Sequence, residues 1–380
     1  MDFNLTEEQK ILQSTVRSFI KKEVKKELID ELDEKEEYPS ELAKRMAELG
    51  WFALPFPEEY GGIGGKPMDV AVLLEELGYG MMALAGAYIM NVVFGGLSIY
   101  HYGNEEQKKY YLPKLARGEI KFALSVTEPN AGSDIASLTT SAKKDGDYYI
   151  INGSKVFSTG AHVADYLVTA TRTDPTLPKH KGITMFLVPT NTPGVEIRRL
   201  KKLGMRSVGT NEIFFDNVKI PKENMLGNLN EGWKNMLKTL SNERVYAGAV
   251  AVGGAQRVLD DVINYAKERV QFGQPISKFQ AIQFMLADMS MEIELARLIT
   301  YYAVWRVENG LSAMKEVSMA KLYPSEVYTR VANKGLQIMG GYGYMMEYEV
   351  QRHLRDAKFF EIAGGTSEIQ RVIIANELGL

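Results

Sequence analysis

The C-terminal stretch AKFFEIAGGTSEIQ sets the glycine pair Gly364-Gly365 between an apolar run and a new helix. A bend without side chains lets backbone N–H groups approach a ligand. Its nearest acid, Glu361, lies three residues before the first glycine and reads most simply as a polar turn residue. A second acid, Glu243, stands ahead of a run with no charge from Val245 to Ala255, in TLSNERVYAGAVAVGGAQ. A helix of that composition is buried all round, and a carboxylate at its head is costly to bury without a purpose. Thr239 or Ser241 is expected to cap it. Three readings of Glu243 stay open on residue type alone. It is a solvated first-turn acid favoured by the helix dipole, a partner for Arg244, or a general base in a dry site.

A third segment, SVTEPNAGSD (Ser125–Asp134), follows the strand-like KFALSV. Pro129 and Gly132 force a turn there. Its backbone N–H groups and the hydroxyls of Thr127 and Ser133 suit a phosphate or a polar ring edge; the plain alternative is an ordinary polar turn. No GxxxxGK[ST] occurs, and no GxGxxG lies between a strand and a helix. Cysteine is absent, which excludes disulfides and thiolate chemistry, and the four histidines show no HxxxH or HxxH spacing. A net charge of −3 carries no polyanion-binding signature, so nucleic acid is not expected as a partner.

The elements that must position these residues fall into three textures over 380 residues. Residues 1–120 read as an N-terminal helical domain. TEEQ at Thr6–Gln9 forms a capping box, and Ile11, Leu12, Val16, Phe19, Ile20, Val24 and Leu28 keep helical spacing. Ser40 is expected to cap a helix ending at Gly50, and Asn104 another. The stretch from Leu77 to Tyr100 has no charge. It is long enough to span a bilayer, but Asn91, several glycines and the lack of a flanking basic cluster favour a buried core helix or helix pair. Residues 121–228 turn rich in Val, Ile, Tyr, Phe and Thr and read as a β-domain of antiparallel character. DGD at 145–147 and NG at 152–153 mark turns there. Residues 229–380 return to long amphipathic helices. The fold class is therefore multidomain α+β: helices, an antiparallel β-domain, then a helical bundle. No signal-peptide pattern opens the chain, which suggests a cytoplasmic enzyme of a prokaryote.

Together, SVTEPNAGSD, KVFSTGA (155–161), ERVQFGQPISKFQ (268–280), QIMGGYGY (337–344) and GGTSEIQR resemble the acyl-CoA dehydrogenase family of flavoenzymes. The resemblance covers essentially the whole chain, with PEEYGG (57–62) and DAKFFEI (356–362) in agreement. It implies FAD held between the β-domain and the C-terminal helices. Val126, Thr127, Gly132 and Ser133 would contact flavin and pyrophosphate. Phe157 would lie against the isoalloxazine, and Thr159 would bond near N5. Arg269, Phe272 and the Gln337–Gly341 stretch would reach the FAD of a neighbouring subunit, and Thr366 and Glu368 the first FAD. Many members have tryptophan where Phe157 stands, so altered packing is expected there, not lost binding. The family also implies a homotetramer and an electron-transfer flavoprotein as acceptor; no membrane is expected, since the uncharged run reads as a core helix.

The family oxidises a saturated acyl-CoA to a 2-enoyl-CoA. A carboxylate removes a Cα proton while hydride leaves Cβ for the flavin. Many members draw that base from a Y-E-G-T sequence, but here Ala363 and Gly364 take the tyrosine and glutamate places. A minority, isovaleryl-CoA dehydrogenases among them, carry the base on the mid-chain helix, which by resemblance assigns it to Glu243. Whether dipole or desolvation sets its pKa stays open. Gly364 would then offer its backbone N–H to the thioester oxygen. The space at 363 and 364 favours a branched, cyclic or aryl-bearing acyl group. The expected substrate contacts are Ser133, Tyr88, Arg244, Ala363 and Gly364, with Met81, Met82 and Met90 in the pocket wall. Methionine where glutaryl-CoA-oxidising members place arginine disfavours a dicarboxylic substrate. The alternatives are an enoyl-CoA reductase using the same site in reverse, and a non-catalytic acyl-CoA-binding flavoprotein.

Overall fold

The computed structural model describes residues 4–380. The N-terminal layer holds α1 (Glu7–Glu23), α2 (Lys26–Lys35), α3 (Ser40–Glu48), α4 (Pro67–Gly80) and α5 (Met82–Tyr88), then a π-helical segment (Ile89–Gly96), α6 (Leu97–Tyr102) and α7 (Glu105–Ala116). The capping boxes at Thr6 and Asn104 are both present, and Gly50 takes the left-handed conformation after α3. Two expectations need correction. The spacing from Ile11 to Leu28 is not one helix, because the chain breaks at Val24-Lys25 and Leu28 belongs to α2. No glycine or proline marks the break. Ser40 does not cap: Pro39 holds that position, and Ser40 is the first helical residue.

The uncharged run lies inside the protein. Met82–Tyr102 is apolar and long enough to cross a bilayer by length and composition, but 83% of its most apolar window is buried. Asn91 explains its tolerance of a polar side chain. Its amide bonds the Ala87 carbonyl and the Tyr38 hydroxyl, and its oxygen accepts from Phe122 N–H at 2.8 Å. That last bond ties the helical layer to the first strand.

The strands are β1 (Phe122–Ser125), β2 (Ser141–Asp145), β3 (Tyr148–Thr159), β4 (Tyr166–Arg172), β5 (Ile183–Pro189), β6 (Val195–Leu200), β7 (Thr210–Pro221) and β8 (Met225–Leu226). They form one sheet in the order β6-β7-β3-β2-β4-β5-β8, with β1 parallel to β4. Most pairs are antiparallel. β4 and β5 are buried along nearly their whole length, which accounts for the absence of charge in both before Arg172. Asp145-Gly146-Asp147 turns β2 into β3 as expected. Asn152-Gly153 does not turn. It sits inside β3 at a bulge, where Gly153 has φ 143° and a Cβ would meet Thr140 Cα at 2.7 Å.

The C-terminal bundle comprises α8 (Gly232–Glu268), α9 (Gln280–Glu308), α10 (Met314–Met339), α11 (Val350–Ile362) and α12 (Ser367–Glu377). α8 is the central rod. Every residue from Glu243 to Ala255 is buried. Its small residues let neighbours touch its backbone: a Cβ on Gly253 would meet the Glu75 carbonyl of α4, and one on Gly248 the Ala320 carbonyl of α10. The expected cap at Thr239 or Ser241 is overturned, because α8 begins earlier, at Gly232. Thr239 instead bonds the Asn235 carbonyl one turn back and the Ser98 hydroxyl.

Candidate active site

Glu243 meets the C-terminal bend. Gly364 and Gly365 have φ 66° and 90° and lead from α11 into α12. A Cβ on Gly364 would lie 2.8 Å from Glu243 Oε1 and 3.0 Å from Oε2. The carboxylate thus fills the space beside the Gly364 backbone, and only glycine leaves it room. Gly365 is equally enclosed, since its Cβ would meet Gln370 Nε2 at 2.8 Å.

Both carbonyls of the bend are held. Arg244 Nε donates to the Gly364 oxygen at 3.2 Å, and Lys321 Nζ to the Gly365 oxygen at 2.7 Å. Gln370 Nε2 donates to both, at 3.3 and 3.0 Å. Among the described residues no acceptor takes the Gly364 N–H, so it remains a free donor. Arg244 therefore acts on the bend, and among the described residues it forms no ion pair with Glu243. Ala363 is half-buried and closes α11 through its N–H to the Phe359 carbonyl.

Glu243 lies about three turns into α8. The dipole acts within the first turn, so the question left by the sequence is decided by burial. Desolvation raises its pKa to about 7, against the pull of Lys321 and then Arg244. Among the described residues its Oε2 is buried without a hydrogen-bond partner. Glu361 has a different setting. Burial opposes its charge, but hydrogen bonds from Lys358 and Thr329 prevail and hold its pKa below the usual range. Lys358 Nζ lies 2.6 Å from its carboxylate.

A second group gathers where β1 and β3 end. Val156 N–H bonds the Thr127 carbonyl at 2.9 Å, which lays the Ser125–Asp134 turn against β3. Beneath it is an ion pair the sequence reading missed. The buried Lys155 bonds the Val126 carbonyl at 3.0 Å and Glu128 at 2.9 Å. Glu128 also accepts from the N–H and hydroxyl of Thr139 and the N–H of Thr140. Burial opposes its charge, but Lys155 and these donors hold its pKa at about 2. A lysine on the inward alternation of an apolar strand was the available signal. Val126 is buried, Thr127 half-buried, and Gly132 and Ser133 exposed. Phe157 is 66% exposed at φ 59°, on a bulge opposite β7. A large apolar ring held in a left-handed conformation facing outward is a platform for a flat ligand. Beside it, Ser158 Oγ is buried without a partner among the described residues, and Thr159 pairs with Thr210.

A third group lines a groove of about 490 Å³ between the end of α8 and the end of α10. Arg269, Met339, Gly340, Gly341 and Tyr342 form it, with the guanidinium 5.2 Å from the Tyr342 ring centre. Phe272 is 93% exposed nearby in sequence, and Gln337 is exposed at the end of α10. The groove is lined by none of the residues of the Glu243 bend. Thr366 caps α12, accepting from Ile369 N–H at 3.2 Å, and Glu368 is exposed in its first turn. Tyr88, Met81, Met82 and Met90 are buried in the main core. Tyr88 has its hydroxyl unpartnered, and Met90 packs where a Gly160 side chain would stand.

Family models for acyl-CoA dehydrogenases match in order: the N-terminal domain over residues 6–119, the middle domain over 123–218 and the C-terminal domain over 230–379. A probable acyl-CoA dehydrogenase of Bacillus subtilis, YngJ, is 44% identical over 379 residues, covering 100% of both chains. The chain belongs to the acyl-CoA dehydrogenase family. The caffeyl-CoA reductase-Etf complex subunit CarC of Acetobacterium woodii is 40% identical over 376 residues, 98% of each chain. Butyryl-CoA dehydrogenase of Megasphaera elsdenii superposes with a TM-score of 0.97 at 37% identity, over 100% of both chains. The protein is thus an FAD-dependent oxidoreductase. The residues present suit FAD: an outward ring at Phe157, an orphaned hydroxyl at Ser158 and a glycine-lined groove with a cation.

Proposed function

We propose that the protein oxidises a branched, cyclic or aryl-bearing acyl-CoA to its 2-enoyl-CoA, with Glu243 as the base. The observation that carries this reading is the closeness of the Glu243 carboxylate to the place where a side chain at Gly364 would stand. The family's more frequent base would stand at position 364, and the side chain of residue 243 supplies a carboxylate to the same space from the opposite side.

Bound FAD supplies the hydride acceptor, and Val126, Thr127, Gly132, Ser133, Phe157 and Thr159 are the residues that would hold it. The chain's own groups do the rest. Glu243, with a pKa near 7, accepts the Cα proton near neutral pH in a dry setting. The free Gly364 N–H donates to the thioester oxygen as negative charge builds there. Because the Glu243 carboxylate occupies the place of a side chain at 364, it is the short Ala363 side chain that leaves room for bulk at Cα and Cβ. Arg269, Phe272, Gln337 and Gly341 serve the FAD of a neighbouring copy, and Thr366 and Glu368 the FAD of their own. An electron-transfer flavoprotein is the acceptor we infer, supported by the likeness to an Etf-complex subunit.

The reverse reaction is the second reading. A pKa near 7 lets Glu243 serve as acid as readily as base, and CarC is named as part of a reductase complex. Anaerobic titration of the yellow protein with isovaleryl-, isobutyryl-, 2-methylbutyryl-, cyclohexanecarbonyl-, aryl-substituted and straight-chain acyl-CoAs tests both. Bleaching by a branched, cyclic or aryl ester is expected. Bleaching by octanoyl-CoA alone would overturn the substrate reading. Reoxidation of dithionite-reduced protein by an enoyl-CoA, with no bleaching by the saturated ester, would establish the reverse direction.

A further inference from the structure

Lys321 lies on α10, and only 1% of it is exposed. Burying an ammonium is expensive unless it is paired, yet among the described residues the one hydrogen bond of this ammonium goes to a neutral carbonyl, that of Gly365. The acids that face it are Glu243 on α8, Glu361 on α11 and Glu368 on α12, with Arg244 as the opposing cation. Glu361 is engaged by Lys358, and Glu368 is exposed. Glu243 is the buried acid left without a partner on Oε2.

We propose that Lys321 is a positioning residue of the proton-transfer site: it fixes the glycine bend through the Gly365 carbonyl and supplies the positive charge that keeps the Glu243 carboxylate available. The proposal rests on the reading of Glu243 as the base. Arg244 and Gln370 complete the hold on the bend, so both carbonyls are occupied and the Gly364 N–H is left to the substrate. Of the two cations that draw Glu243 back from full protonation, Lys321 acts more strongly and Arg244 less. The relation is mutual. Burial lowers the Lys321 pKa to about 8, and Glu243 opposes that fall.

The test reads Glu243 directly, apart from turnover. Infrared difference titration of the carboxyl band, with Glu243→Gln as the blank, follows its protonation in FAD-loaded wild type and in Lys321→Gln, Lys321→Met and Lys321→Arg. Gln keeps a donor for the Gly365 carbonyl and removes the charge; Arg restores the charge. The Glu243 band is expected to titrate about one pH unit higher in the Gln and Met variants, and to return toward wild type in Arg. Flavin reduction in the Gln variant is expected to be about fivefold slower at pH 7 and to recover as pH rises. An unshifted band in the Gln variant would overturn the proposal. So would loss of flavin from all three variants, which would make the lysine a folding residue. Should Glu243→Gln itself reduce flavin at the wild-type rate, the base reading fails instead, whatever Lys321 does.

Discussion

The Glu243 carboxylate and the Gly364 Cα share one small volume, with 2.8 Å left between Oε1 and the place where a β-carbon would be. The two residues are far apart in sequence, and each is legible only through the other. The acid has room because the bend is bare, and the bend is bare at a point where a side chain would displace the acid.

That relationship makes Gly364→Ala a sharp probe. The methyl group must displace either the carboxylate or the bend, and alanine at φ 66° adds about 1–2 kcal/mol of backbone strain. A misplacement on the order of 1 Å costs about 10²-fold in rate. Flavin reduction by the best substrate is expected to slow by about that factor, with FAD retained, in stopped-flow measurements under anaerobic conditions. A wild-type rate would show that the contact has no part in the chemistry.

Much of this site was readable beforehand, for definite reasons. The uncharged run after Glu243 announced burial, and the doubled glycine announced a bend. What the sequence could not give was the depth of Glu243 in its helix. Thr239 and Ser241 look like caps, yet the hydroxyl of Thr239 bonds back to the preceding turn, so the same residue type serves the interior. The start at Gly232 then removes the dipole from the pKa argument. Asn152-Gly153 misled similarly, because a bulge and a turn call for the same glycine. The break between α1 and α2 has no composition signal at all. Lys155 and Lys321 were missed because a lysine on an apolar face is ordinarily a solvated tip, and only packing shows these two to be enclosed.

Replacing the base should separate rate from stability. Glu243→Gln is expected to reduce flavin about 10³-fold more slowly, as lost general-base catalysis implies, while still binding product. Its stability should move the other way. The folded carboxyl has a pKa of about 7 against an ordinary 4.5. The folded state therefore holds a proton that the unfolded chain has lost between those values. Wild-type stability falls as pH rises through that window, by an amount on the order of 3 kcal/mol. Melting curves at pH 5 and pH 8 should show the glutamine variant gaining on wild type at the higher pH. Parallel curves would mean the carboxylate is not desolvated.

Phe157 yields a prediction about cofactor and fold together. Its ring is exposed and its φ positive, so Phe157→Gly relieves strain of about 1 kcal/mol while deleting the platform. The apoprotein should melt no lower than wild type. FAD affinity, measured by fluorescence titration of the apoprotein, should weaken about tenfold, since an aromatic contact is worth about 1.5 kcal/mol. A lower apoprotein melting temperature with unchanged FAD affinity would make the ring a fold element.

The exposed face of α9 carries the last prediction. Phe284, Met291, Leu295, Leu298 and Trp305 are all exposed, at intervals of seven, four, three and seven residues. That is the three-four repeat of a helix seam, running along the outside of a bundle whose other face is already packed. A stripe this long and apolar suits a protein interface, and the occupant expected here is another copy of the chain. Arg269 is half-buried in the neighbouring groove and Phe272 is exposed close to it in sequence, so the assembly would also complete a cofactor site. Leu298→Glu puts a charge at the middle of the seam, where burial without a partner is costly. Light scattering of the variant is expected to show a smaller assembly than wild type. FAD is expected to be lost more readily on dilution, because each copy then lacks its neighbour's contacts. An unchanged mass with unchanged FAD retention would place the interface on another face and leave the α9 stripe without a partner.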